Sequence, residues 1–250
     1  MNCIRLFDYR VTAFWSVILN LACLPSFAAE FPYEIGQIRT YENETEMPFP
    51  EEKATGLYVL TMLREEEVAD RNCRVVQEHY DPAALGTKRE LFFDSDFNRV
   101  QEIVSQGTFE ERIEFDPPIP NPYADLEVGK ETKTAHTLIV RGLPGGEERS
   151  RSPFTRTVKR LPDEEVEVPA GTFASCRKIM EGTESEFDNQ EGTCKIITIR
   201  EAWWDKKQGL VKEIYHNCIR GPQGSVVREW TMTNALKSVT KREEVEPSGK

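Results

Sequence analysis

The sequence predicts a mainly β protein: a curved antiparallel sheet, shaped as a half-barrel, built from two duplicated β-meander halves with little helix. Three observations carry that expectation. Runs rich in β-branched and aromatic residues, such as GLYVLTML, CKIITIREAWW and SVVREWTMT, alternate apolar with polar positions as half-buried strands do. Turn-forming clusters, including DPAALG, DSDFN, LPGGEE, DKKQG and RGPQG, separate them at short intervals. One phrase also occurs twice, RELFFDSDFNRVQEI at 89–103 and REAWWDKKQGLVKEI at 200–214, aligned without a gap.

Taken in order, the chain begins with a secretory leader, residues 1–28. Arg5 and Arg10 make a basic start, residues 11–24 are apolar, and a small-residue exit follows, with cleavage expected near Ala28. The apolar run is shorter than the roughly 20 residues a membrane-crossing helix needs. Cys23 keeps a lipoprotein alternative open, although Asn20 occupies a position where an aliphatic residue is expected. Residues 29–120 read as the first meander. Within it LTMLREEEVAD is the best helix candidate, and a strand–turn–strand fits it equally well. FDPPIPNP, with four prolines at 117, 118, 120 and 122, marks the boundary because proline cannot donate to a ladder. Residues 121–240 are the second meander, and the polar stretch 241–250 reads as a disordered tail. The repeat is broader than one phrase: Pro-Tyr and a glycine open both halves, and CRVV at Cys73 has a counterpart in CRKI at Cys176.

The full chain carries 32 basic and 43 acidic residues. Without the leader the balance is 30 to 42, a net of −12, since Arg5, Arg10 and Asp8 leave. That sign disfavours nucleic acid and anionic membrane surfaces as partners. No later stretch has transmembrane length. A periplasmic or secreted protein is therefore expected. Its four cysteines, Cys73, Cys176, Cys194 and Cys218, suggest two disulfides, with Cys176–Cys194 slightly ahead of Cys194–Cys218. No CxxC occurs, and no metal or other cofactor is expected.

The second half resembles a known group. VEVPAGTFASCRKI at 166–179, then EAWWDKKQGLVKEI at 201–214, is similar to the TapB-like exported bacterial domains, of unknown function. ADLEVGKETKT matches the opening of the same module. The turn departs from the pattern, Asp205-Lys206-Lys207 standing where Ala-Pro-Gly is usual. The resemblance implies kinship with the periplasmic half-barrels of the LolA class, whose concave faces hold acyl chains. It implies no catalytic residues.

Catalytic patterns are thin. His79, His136 and His216 are widely spaced, no GxSxG elbow or phosphate loop appears, and acidic runs such as REEEVAD and PDEEVEV read as solvated faces. VPAGTF reads as a structural bend. The candidate ligand-binding residues are Phe92, Phe93, Trp203 and Trp204. Adjacent strand residues point to opposite faces, so one of each pair enters the main core. The other is covered by a second layer or exposed as a contact surface. The leading expectation is a non-catalytic envelope protein that binds an apolar small molecule, a lipid or an envelope protein. The alternatives are a carboxylate-based hydrolase of envelope glycan or ester, and a purely structural module.

Overall fold

The structure, a computed structural model, describes residues 34–48, 51–81, 87–120, 126–189 and 192–241. The leader and, apart from Lys241, the tail fall outside the described residues. Twelve strands follow in order: β1 (Gln37–Pro48), β2 (Glu51–Val68), β3 (Arg71–Asp81), β4 (Thr87–Phe93), β5 (Arg99–Gln106), β6 (Phe109–Ile119), β7 (Glu131–Gly142), β8 (Glu148–Val168), β9 (Gly171–Asn189), β10 (Gly192–Asp205), β11 (Gly209–Arg220) and β12 (Val226–Lys241). Each pairs antiparallel with its chain neighbours, and β1 also pairs with β12, so the sheet closes into a barrel. The open half-barrel expected from the sequence is corrected on this point. An open meander leaves two rows of backbone donors and acceptors unsatisfied, and the β1–β12 ladder from Gln37–Lys241 to Glu46–Thr231 satisfies both. The segments expected as two halves share this one sheet.

LTMLREEEVAD resolves as strand, turn, strand. Ala69 and Asp70 form a two-residue hairpin turn with φ of 49° and 61°, the left-handed pair that matches strand twist. Pro122 lies outside the described residues, and Pro117 and Pro118 do not end β6, which runs to Ile119. They sit where its ladders lapse: the β5 rungs skip from Glu114 to Ile119, and the β7 rungs stop at Asp116. A missing N–H costs nothing there.

Two apolar clusters account for most of the described interior, with Tyr215, Met232 and Tyr80 forming a small third. The larger gathers Tyr41, Tyr58, Leu60, Met62, Phe93, Ile179, Trp204, Leu210 and Leu236 near the end where β2–β3, β4–β5, β8–β9 and β10–β11 turn. The second lines the wall from β5 to β8 with Val104, Ile113, Phe115, Leu138, Val140 and Phe154, and reaches Ile196 on β10. Each such side chain contributes about 1.5–3 kcal/mol on burial.

The outward face is charged on strand after strand. Arg112 and Arg141 both pair with Glu114 at 3.2 and 2.9 Å, and Lys195 pairs with Glu184 at 2.5 Å. This is the inverse of an outer-membrane barrel, whose outward face is an apolar band and whose lumen is polar.

Candidate functional site: paired ion clusters and a capped apolar end

The repeated phrase folds twice into the same hairpin. β4–β5 places Phe92 opposite Gln101 and Phe93 opposite Arg99, leaving Val100 as the extra residue of a bulge. β10–β11 places Trp203 opposite Lys212 and Trp204 opposite Leu210, with Val211 extra. The bulge thus falls at the same letter of both phrases. The openings match too. Gly36 (φ 83°) donates to the carbonyl of Met62, and Gly129 (φ 85°) donates to that of Arg160.

The conserved letters of the two phrases, Arg and Glu, are an interior ion pair in each hairpin. Arg89 binds Glu102 and, at 2.9 Å, Glu78, while Arg99 meets the other oxygen of Glu102 at 3.0 Å. Tyr58 donates its hydroxyl to Glu78 at 3.0 Å. In the second half Arg200 binds Glu213 at 2.7 Å and Glu181 at 3.5 Å, and Arg156 meets Glu181 at 2.5 Å. Tyr215 and Asn234 also donate to Glu213, both at 2.8 Å. Glu78 and Glu181 occupy equivalent rungs, opposite Arg89 and Arg200. All these charges are buried, and each carboxylate is engaged by at least one arginine. Burial pushes the Glu78 carboxyl above its ordinary value, with Arg89 opposing the shift. Sequence reading matched Arg89/Arg200 and Glu102/Glu213 as letters. It missed them as partners, although their spacing across one hairpin was the available signal.

The four candidate aromatics divide as strand alternation requires, and all four are buried. Phe93 and Trp204 point into the larger cluster, and Trp203, on the other face of its strand, is a buried member of the same cluster. Trp203 shares the outward face of its rung mates Lys178 and Lys212, whose ammonium groups lie 4.5 and 5.4 Å from its ring, and its indole N–H donates to Glu164. Phe92 faces outward with Val75 and Cys73, packed by Leu63, Val68, Val100 and Ile103.

One end of the barrel is closed by a hairpin tip rather than by its wall. β7 pairs with β8 only to Lys159, and β10 pairs with β9 only to Arg177, so beyond the Leu161–Lys178 rung β8 and β9 pair only with each other. The tip folds over the larger cluster. Val166, Val168 and Cys176 are buried members of it, Phe173 packs against it, and the Ala170 N–H donates to the Leu236 carbonyl on β12 at 2.9 Å. The VPAGTF stretch supplies this turn, with Gly171 at φ 131°.

The four cysteines are thiols, which corrects the expected disulfides. Cys194 lies opposite Phe187 near the start of β10, whereas Cys176 lies beyond the last β9–β10 rung at the other end. Cys218 shares a face with Ile197, three positions from Cys194, so those two side chains point to opposite faces. Cys73 stands on β3, across the barrel. Burial pushes the Cys176 thiol up to about 11. Among the described residues, no three His, Cys, Asp or Glu side chains converge as a metal site. His136, its pKa lowered by burial, hydrogen-bonds the Pro117 carbonyl and the Thr134 hydroxyl.

Comparison with known proteins finds similarity to two solved structures. No family model matches it, and no curated protein does. A candidate lipoprotein from Parabacteroides distasonis shares 12% identity, with a TM-score of 0.41, over 84% of this chain and 97% of its own. A candidate exported protein with a YmcC-like fold, from Bacteroides fragilis, shares 14% identity at a TM-score of 0.42, over 88% of this chain and 100% of its own. Neither is described as TapB-like or LolA-like.

Proposed function

We propose that this chain is an exported, non-catalytic β-barrel of the cell envelope that takes an apolar chain at its capped end. The observation that carries the reading is the placement of the larger apolar cluster, at a barrel mouth that the β8–β9 hairpin tip crosses, with Phe97 and Leu126 packed beside it among the described residues. Val166, Val168 and Phe173 on that tip occupy the place an acyl chain would take. The described side chains of this cluster are buried beneath the tip, so the ligand enters by displacing the tip and not by filling an open concave face. Burying these three side chains stabilises the closed tip by about 4.5–9 kcal/mol at roughly 1.5–3 kcal/mol each. An acyl chain contributes about 0.8 kcal/mol per buried CH₂, so about six to eleven methylenes offset the tip. Export rests on the leader of residues 1–28. Matching bulges, openings and ion pairs support descent of the two halves from one duplicated meander.

The test is native mass spectrometry of gently purified protein, followed by separate titrations with a fluorescent fatty acid and a lysophospholipid. Binding should rise steeply with chain length, and the two titrations tell a free acid from a lipid-borne chain. Saturation by neither would end the reading. A second reading, a protein partner, is favoured by one feature of the outer wall. Ile199 is 42% exposed beside His216 and Gly182, its rung mates on β11 and β9. A photo-crosslinker at residue 199 should then capture one defined envelope protein that a crosslinker on β6 does not.

A further inference from the structure

We infer that the β8–β9 tip, residues 161–176, is a hinged gate whose lifting admits an acyl chain to the apolar end of the barrel, an inference that rests on the ligand reading above. Three features build the gate. Its ladder breaks twice at its base, between Leu161 and Glu164 and again between Glu164 and Val166, so the hairpin has a hinge where it leaves the wall. Among the described residues its backbone tie to the rest of the barrel is the Ala170–Leu236 hydrogen bond, whereas the lower parts of β8 and β9 are laddered to β7 and β10. Val166, Val168 and Cys176 belong to the larger cluster, and polar ties at its base run through Asp163, paired with Arg160, and Glu164. Glu164 accepts from Trp203 and pairs with Lys178 at 3.4 Å.

The comparison between the halves points to the same segment. The equivalent rungs Leu60–Glu78 and Val158–Glu181 enclose hairpins of unequal size, the second five residues longer. The shorter β2–β3 tip does not reach the larger interior cluster; its Val68 and Cys73 pack outward around Phe92. The barrel's two-fold pattern is therefore broken where one hairpin is long enough to cross the mouth. Trp203, in the repeated phrase, donates to Glu164 at the base of the gate, and both it and its neighbour Trp204 belong to the cluster the gate covers.

The experiment combines hydrogen exchange with two variants of the full mature chain. Val168→Asp makes the tip unwelcome in the cluster, and Ala170→Pro removes its tie to Leu236 without deleting apolar surface. Both should bind a fluorescent long-chain fatty acid about tenfold or more tightly than the parent, because the competent state is no longer rare. In the parent, fatty acid should speed exchange of the 161–176 amides while leaving the β10–β11 ladder protected. Equal affinity in parent and folded variants, with unchanged exchange of the tip, overturns the gate and leaves the ligand reading standing. No binding by the parent or by either folded variant overturns both. Binding by the variants alone shows a gate that the fatty acid cannot lift unaided, and supports it.

Discussion

Arg200→Met tests whether the repeated Arg–Glu pair is structural. Arg200 is fully buried, with its guanidinium 2.7 and 3.1 Å from one oxygen of Glu213 and 3.5 Å from Glu181. Methionine preserves much of the volume and removes the charge. Glu181 keeps Arg156, but Glu213 is left with only the Tyr215 hydroxyl and the Asn234 amide. A buried carboxylate stripped of its cation costs about 3–5 kcal/mol, a large share of the roughly 5–15 kcal/mol that holds a typical domain folded. Urea unfolding, followed by fluorescence of Trp203 and Trp204 on the same strand, should show the midpoint falling at unchanged slope. Arg200→Met with Glu213→Leu should recover more than half of the loss, because a well-packed apolar pair replaces a buried ion pair at little cost. A single-variant loss below about 1 kcal/mol, or a double variant weaker than the single, would refute the claim that the two halves are braced by these pairs.

Trp204→Ala and Trp203→Ala should each cost about 3–5 kcal/mol, since both are buried members of the main cluster and Trp203 also loses its contacts to two lysines; a loss below about 1 kcal/mol for Trp203 by urea titration would show that its ring is not packed against that cluster. Ala69→Asn with Asp70→Gly should raise stability by about 1 kcal/mol, as both positions hold left-handed φ. Alkylation of the unfolded mature chain without reductant should label all four thiols, and in the native state Cys218 should react before the buried Cys73 and Cys176. Glu78 carries a pH signature. Its folded pKa is raised, so its contribution is favourable at low pH and is lost as pH rises from the ordinary 4.5 through the raised value. Glu78→Gln should therefore show a flatter stability profile than the parent between about pH 4 and pH 8, and parallel profiles would show that burial does not shift this group.

Strand order and faces were legible because they follow from alternation and local turns. DSDFN and DKKQG each close a hairpin, and Phe92/Phe93 and Trp203/Trp204 split between faces as a period of two demands. Closure was not legible. It depends on β1 meeting β12 some two hundred residues later, and no local pattern in QIRTYENETEMP distinguishes an edge strand from a sealed one. The cysteines misled for a related reason. An even count in an exported chain suggests bridges, but bridging needs a shared face and height, which register alone decides. The buried ions were hidden because Arg and Glu read as surface residues one at a time, and only their rung positions turn them inward together.

The second half keeps the bulge, the glycine opening and the Arg–Glu pair of the first in matching register, and these are the features that set strand tilt and fill the lumen. Such features constrain shape, so both halves need them alike. What differs is the length of one hairpin, and added length in a hairpin tip is tolerated thermodynamically while doing nothing for the wall it leaves. The VPAGTF turn is therefore the part of this chain least required by the barrel itself. Shortening β8–β9 to the length of β2–β3, by deleting residues from 161–166 that belong to its irregular ladder, should leave a folded barrel with an uncovered apolar mouth. Such a protein should bind a hydrophobic dye that the parent excludes, and it should remain cooperative in urea. Loss of the cooperative transition would instead make the tip an integral part of the core, with no gating role left for it.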